Sequence, residues 1–223
     1  MARSPLVGAQ VSLIMSALFS VILILLHFLR ADLDPSWRFI SEYELGDFGW
    51  LMRVAFFALG LSCAGLCFAV FPYSRTIRGW LGMLLLMVSC SGMLLAGIYA
   101  PDKDNKLHEL GAMLDNVPFA ALFLNWNLYR QPAWSAAKRL LALTAGLPLL
   151  GLVVFIGSLA WMLPANGGQP GPTVLAGWPN RFFILAHLGW LVPVAWHAMI
   201  LNQSLMTGST SLTSCSSDSC QPR

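Results

Sequence analysis

The chain has 223 residues, 57% hydrophobic and only 10% charged, whereas a soluble domain carries about 25% charged residues. This composition excludes an ordinary soluble enzyme. The net charge of +3, with its signs segregated along the chain rather than pooled in one patch, gives no support to a nucleic-acid partner.

Six apolar runs follow one another at roughly 7–29, 49–72, 77–100, 111–129, 139–163 and 180–203. Each is close to or above the ~20 residues that a helix needs to cross a hydrocarbon core of about 30 Å. The expected fold is therefore all-α: a polytopic membrane bundle of six transmembrane helices over residues 1–205. A disordered Ser/Thr-rich tail is expected at 206–223, because that segment lacks apolar periodicity. The first run follows Arg3, as a signal peptide would, but exceeds an h-region of about 7–15 residues and has no small-x-small site before Asp32, so it reads as a retained helix. Span two closes at Phe71-Pro72 and span three at Ala100-Pro101, since proline ends a helix and restricts the residue before it. Pro118 reads as a kink in span four, and the loop after span five is uncharged and rich in Gly and Pro. Trp37, Trp50, Trp161 and Trp178 at one level, with Trp80 and Trp134 at the other, fit interfacial belts. Cys63, Cys67 and Cys90 fall inside spans as small apolar packing groups, and Cys215 and Cys220 fall in the tail.

Charge orients the bundle. Asp32, Asp34, Glu42, Glu44, Asp47, Asp102, Asp104 and Glu109 are eight of the ten acidic residues, and all lie in the joints between spans one and two and between three and four. The alternate joints hold Arg75, Arg78, Arg130, Lys138 and Arg139 with no carboxylate. The positive-inside bias places these basic joints and both termini in the cytoplasm (N-in, C-in), and the acidic joints outside. Arg30, Arg38, Lys103 and Lys106 are exceptions within the acidic joints.

Ionisable residues inside spans are costly, roughly 2.5–3.5 kcal/mol each at a helix centre on insertion scales, and they mark functional sites by default. His27, Arg53, Asp115 and His187 sit on four different spans at similar depth in the outer half. Asp115 follows His108 by seven residues, nearly the same helical face about 10 Å deeper. An Arg53–Asp115 ion pair is one expectation; the alternative is that Arg53 snorkels to the acidic joint. His197, alone in the inner half, reads as a packed or hydrogen-bonded histidine, and Asn116, Asn125 and Asn127 as helix-to-helix hydrogen-bonding groups. The candidate ligand-binding residues of an outward-facing pocket are Ser41, Glu42, Arg53, Asp102, His108, Asp115, Arg181 and His187. Arg53 and Arg181 are candidates to clamp a phosphate or carboxylate. His108 and Asp115 are the candidate acid or base, although whether any reaction is catalysed is left open.

The segments FISEYELGDFGWLMR, YAPDKDNKLHELGA and WPNRFFILAHLGWLVPVAW resemble the domain-of-unknown-function 998 family of six-span bacterial membrane proteins. Ser41, Glu42, Asp102, His108 and Arg181 stand at positions matching its motifs, and Asn180 replaces a Gln of the pattern. That family is distantly similar to the damage-regulated autophagy modulator group, some of whose relatives act in glycolipid-anchor remodelling or lipid asymmetry. The resemblance implies a multi-pass protein of the bacterial inner (plasma) membrane with a lipid-facing role. Membrane lipids are the expected partners, with a partner membrane protein or a second copy also open.

The leading expectation is a protein that binds or handles a lipid-like amphiphile. Alternatives are a non-catalytic accessory subunit or transporter, and a metal-dependent membrane hydrolase. For the last, His27, His108, His187 and a carboxylate supply enough donors. No His pair has i,i+4 spacing, however, and His187 and His197 are about 15 Å apart along a helix. No metal and no cofactor is expected, haem included, since the repeated histidine pairs of membrane cytochromes are missing.

Overall fold

A computed structural model describes residues 3–102, 106–169 and 171–214, with side-chain surroundings given up to residue 205. Among the described residues the chain is helical, without strands: α1 (Arg3–Leu29), α2 (Gly49–Val70), α3 (Ile77–Ile98), α4 (Lys106–Met113), α5 (Val117–Tyr129), α6 (Lys138–Thr144), α7 (Leu147–Ala165) and α8 (Gly177–Ser214). Five stretches, Ser4–Leu29, Gly49–Tyr73, Ile77–Ile98, Pro132–Ala165 and Gly177–Leu205, are long and apolar enough to cross a membrane. The protein is a multi-pass membrane bundle. α1 packs beside α2 and α8, α2 beside α3, α3 beside α4 and α5, and α8 beside α7, while α7 touches α5 only lightly.

The fourth expected span is not one helix. It is broken between α4 and α5 at residues 114–116. Pro118 is correspondingly not a mid-helix kink. It lies in the first turn of α5, where a missing N–H costs nothing and a fixed φ helps start the helix. The break is satisfied by polar groups that the sequence supplies on the spot. Asp115 Oδ1 accepts from Val117 N at 3.2 Å, Asn116 Nδ2 donates to Leu114 O at 2.9 Å, and Asn116 N donates across to Ser89 Oγ of α3 at 2.7 Å. Irregular backbone is tolerated at membrane depth only where it is buried and satisfied in this way. Gly92 of α3 and Gly111 of α4 let the two backbones touch: a Cβ on either would lie 2.6 or 2.8 Å from the other's carbonyl oxygen.

Buried amides hold the basic end. Asn125 Nδ2 donates to Leu141 O at 3.0 Å and its Oδ1 accepts from Trp190 Nε1 at 2.9 Å, which ties α5 to α6 and α8. Asn127 accepts from Thr76 Oγ1 at 2.7 Å and donates to Tyr73 O at 3.0 Å. Trp134, expected at the membrane interface, is instead fully buried, with its ring edge-on to Tyr73 at 5.8 Å and 4.9 Å from that of His197. Trp50, Trp80, Trp161 and Trp178 are exposed on the bundle surface, as interfacial residues would be. Cys63, Cys67 and Cys90 are buried free thiols. α8 runs on to Ser214, into the segment expected to be a tail. Lys103, Asp104, Cys215 and Cys220 lie outside the described residues.

The acidic end is closed by the loop between α1 and α2, which carries a 3-10 turn at Ile40–Glu44 with Ile40, Tyr43 and Glu44 buried. Two arginines staple it. Arg30 forms a bidentate pair with Asp32, at 2.8 Å on both contacts, and donates to the carbonyls of Leu45 and Asp47. Arg181, in the first turns of α8 and only 5% exposed, donates through Nη1 to the carbonyls of Pro35, Arg38 and Gly177, through Nη2 to Tyr43 Oη at 3.1 Å, and through Nε to His27 Nε2 at 2.8 Å.

Candidate functional site

Beneath this loop, at the acidic end, lies a cavity of about 520 Å³. Its polar lining is Arg38, Ser41 and Glu42 of the loop, Asp102, His108 and Glu109 around the start of α4, Asp115 at the break, and Asn180 of α8. Its apolar lining includes Trp37, Phe39 and Ile40, then Phe56 of α2, Met93 and Ala96 of α3, Phe155 of α7, and Phe183 and Ile184 of α8.

Local hydrogen bonds set these groups. Glu42 closes its own turn: Oε2 accepts from Phe39 N at 2.7 Å and Oε1 from Arg38 Nη1 at 2.7 Å. Arg38 also lies over the Trp37 ring at 4.1 Å. Asn180 Oδ1 accepts from Ile40 N at 3.0 Å, so this amide locks the loop to α8. His108 is 7% exposed, and its Nδ1 lies 2.7 Å from Tyr99 O. A carbonyl only accepts, so Nδ1 carries the proton; in the neutral ring Nε2 is then a lone-pair acceptor.

Five of the eight expected site residues, Ser41, Glu42, Asp102, His108 and Asp115, line this cavity. Arg53, Arg181 and His187 do not. The Arg53–Asp115 pair does not form. Arg53 Nε bonds Glu44 Oε1 at 3.1 Å with the Arg53 side chain half exposed, the outcome expected of a snorkelling arginine. Arg181 spends its guanidinium on the loop. Asp115 instead meets His187, with Oδ2 2.9 Å from Nε2 and both side chains at most 5% exposed. His187 Nδ1 donates to Phe183 O at 2.8 Å, so two lone pairs would face each other across 2.9 Å unless one proton sits between them. The pair sits beside the cavity, which Asp115 lines and His187 does not.

Glu44 is the buried acid of the loop. Its Oε2 is without a hydrogen-bond partner and lies 3.9 Å from His108 Nδ1. Burial pushes its carboxyl up to about 7, against the pull of Arg53 and with a further push from Asp102. His27 is tied by Arg181 and by its own Nδ1 to Leu23 O at 2.7 Å. Among the described residues no three metal-ligating side chains come together.

The family model described as protein of unknown function (DUF998) matches residues 13–197. The chain belongs to the DUF998 family. The match contains the whole cavity lining and the Asp115–His187 and Glu44–Arg53 pairs, so the site lies within the DUF998 region, although that description carries no activity. No curated protein and no solved structure matches the chain.

Sequence reasoning missed Arg38, Glu109 and Asn180 of the polar lining. Glu109 and Asn180 had a signal, each adjoining a named candidate in the chain. The apolar lining had none, because one face of an apolar span reads like another.

Proposed function

We propose that the cavity at the acidic end binds a lipid-like amphiphile at the extracytoplasmic face of the bacterial inner membrane. The observation that carries this reading is that one 520 Å³ space is lined both by charged and polar side chains and by apolar side chains from four long helices. Ligand sites are mostly apolar with a few placed polar groups, and a head group with its first carbons meets both requirements. If the bound molecule is also modified, His108 and Asp115 are the groups placed to move a proton.

Purification in mild detergent, followed by lipid extraction and mass spectrometry, tests the reading. A stoichiometric amphiphile is expected in the native chain. It should be depleted in Ala96→Phe, which fills the cavity from α3 while the bundle still melts cooperatively. Absence of any such molecule from native protein overturns the reading. The same preparation reports a partner protein or a second copy.

A transporter is the second reading, favoured by the discontinuous fourth crossing that lines the cavity, since broken helices build many transport sites. Gradient-driven uptake of the identified ligand into liposomes separates transport from binding alone.

A further inference from the structure

We infer that the occupant of this cavity carries a positively charged amine head group. The inference rests on the amphiphile reading above and names its chemical class.

The charge of the lining is one-sided. Four carboxylates, Glu42, Asp102, Glu109 and Asp115, share the space with a single guanidinium, Arg38. Arg38 is already engaged with Glu42 at 2.7 Å. His187 answers Asp115 from behind. Asp102 and Glu109 are left with no cation in contact among the described residues. A phosphate or sulfate placed here meets uncompensated like charge, whereas an ammonium supplies the missing counter-charge.

Hydrogen bonding points the same way. His108 lines the cavity, is 7% exposed, and turns its Nδ1 proton to Tyr99 O. Its Nε2 therefore needs a donor, and no described residue gives it one. Carboxylates and a neutral Nε2 are acceptors, and a primary ammonium brings three donors and no acceptor. The two arginines that would recognise an anion are turned to other work: Arg181 to the carbonyls of the loop, and Arg53 to Glu44. Rings add a further preference. Trp37, Phe39, Phe56 and Phe155 line the cavity, and aromatic faces attract cations.

The test uses the full chain in neutral-detergent micelles, titrated with dodecylamine, dodecyl phosphate and uncharged dodecanol, and read by native mass spectrometry and by melting temperature. Dodecylamine is expected to saturate one site at least about tenfold more tightly than dodecyl phosphate, the scale of one charge-assisted contact. The protein's overall charge of +3 favours the phosphate non-specifically, so an amine preference must come from the cavity. In the double variant Asp102→Asn, Glu109→Gln, amine affinity should fall about tenfold, and by clearly more than the affinity for dodecanol, which carries no charge to lose a partner. Equal or tighter binding of dodecyl phosphate overturns the amine assignment and leaves the amphiphile reading standing. So does full amine affinity in a double variant that melts like the native chain. Failure of all three probes to saturate overturns both.

Discussion

The Glu44 carboxyl has surrendered its water without receiving a full set of donors, and that makes its protonation state part of the fold. Its pKa, raised by burial to about 7 from an ordinary 4.5, means that the folded chain holds a proton that the unfolded chain releases. For a raised acid this stability is complete below the unfolded pKa and is lost as pH climbs through the folded one. Stability should therefore fall between about pH 5 and about pH 8, by at most about 3 kcal/mol. The groups facing Glu44 are Arg53 on α2, His108 on α4 and Asp102. Glu44→Gln removes the proton exchange, and its melting temperature should drift less over that range than that of the native chain. Parallel curves for the two would sink the argument. Arg181 makes the complementary case. Its fork serves three carbonyls, a phenol and an imidazole at once, and a lysine ammonium reaches fewer acceptors in one plane. Arg181→Lys should cost about 2–3 kcal/mol through acceptors left unpaired, read as a lowered melting temperature in detergent at constant pH.

At the scale of the element, the informative feature is the fourth crossing. The run 111–129 has the hydropathy of one span, yet its first half contains Asp115-Asn116-Val117-Pro118, which is also a start signal: a short polar acceptor ahead of proline in a first turn. Apolar length and start chemistry competed, and the start chemistry prevailed because Ser89 on the neighbouring helix supplied an acceptor for Asn116 N. That cross-helix partner is invisible to a reading of one segment. Ser89→Ala should cost about 1–2 kcal/mol by leaving a buried N–H unpaired, and hydrogen exchange should accelerate at Asn116 and Val117 specifically. Uniform acceleration over α3 would show that the serine acts only through packing. The other crossings were legible because membrane thickness sets a length that few sequences meet by accident, although the fifth, expected as one helix over 139–163, is interrupted at residues 145–146 between α6 and α7. The ionisable site residues stood out for the matching reason that charge is rare at that depth. Their pairing was not legible. Whether Asp115 meets Arg53 or His187 depends on how α2, α5 and α8 rotate against one another, and apolar runs with little amphipathic contrast do not encode that rotation.

Across the whole molecule, charge and architecture divide along the same axis. The acidic end carries the loop cap, its two arginine staples and the polar-lined cavity. The basic end is joined by neutral amides and by cation–π contacts, with the Arg78 and Arg130 guanidiniums 4.7 and 5.3 Å from the Trp126 ring centre. An arginine at the cytoplasmic interface faces anionic lipid, which attracts it by about 1 kcal/mol per charge near the surface, whereas loop carboxylates are repelled from that leaflet. The two ends therefore prefer opposite sides, and the cavity faces outward only if the positive-inside bias governs this chain. Asp47→Cys and Arg75→Cys place a thiol on each end, in loops outside the spans. The native thiols at Cys63, Cys67 and Cys90 are buried and should stay silent. With a membrane-impermeant maleimide, the Cys at 47 should label in intact cells. The Cys at 75 and the tail cysteines should label only after permeabilisation. The reverse pattern would place the cavity on the cytoplasmic side, where its ligand would have to come from the inner leaflet.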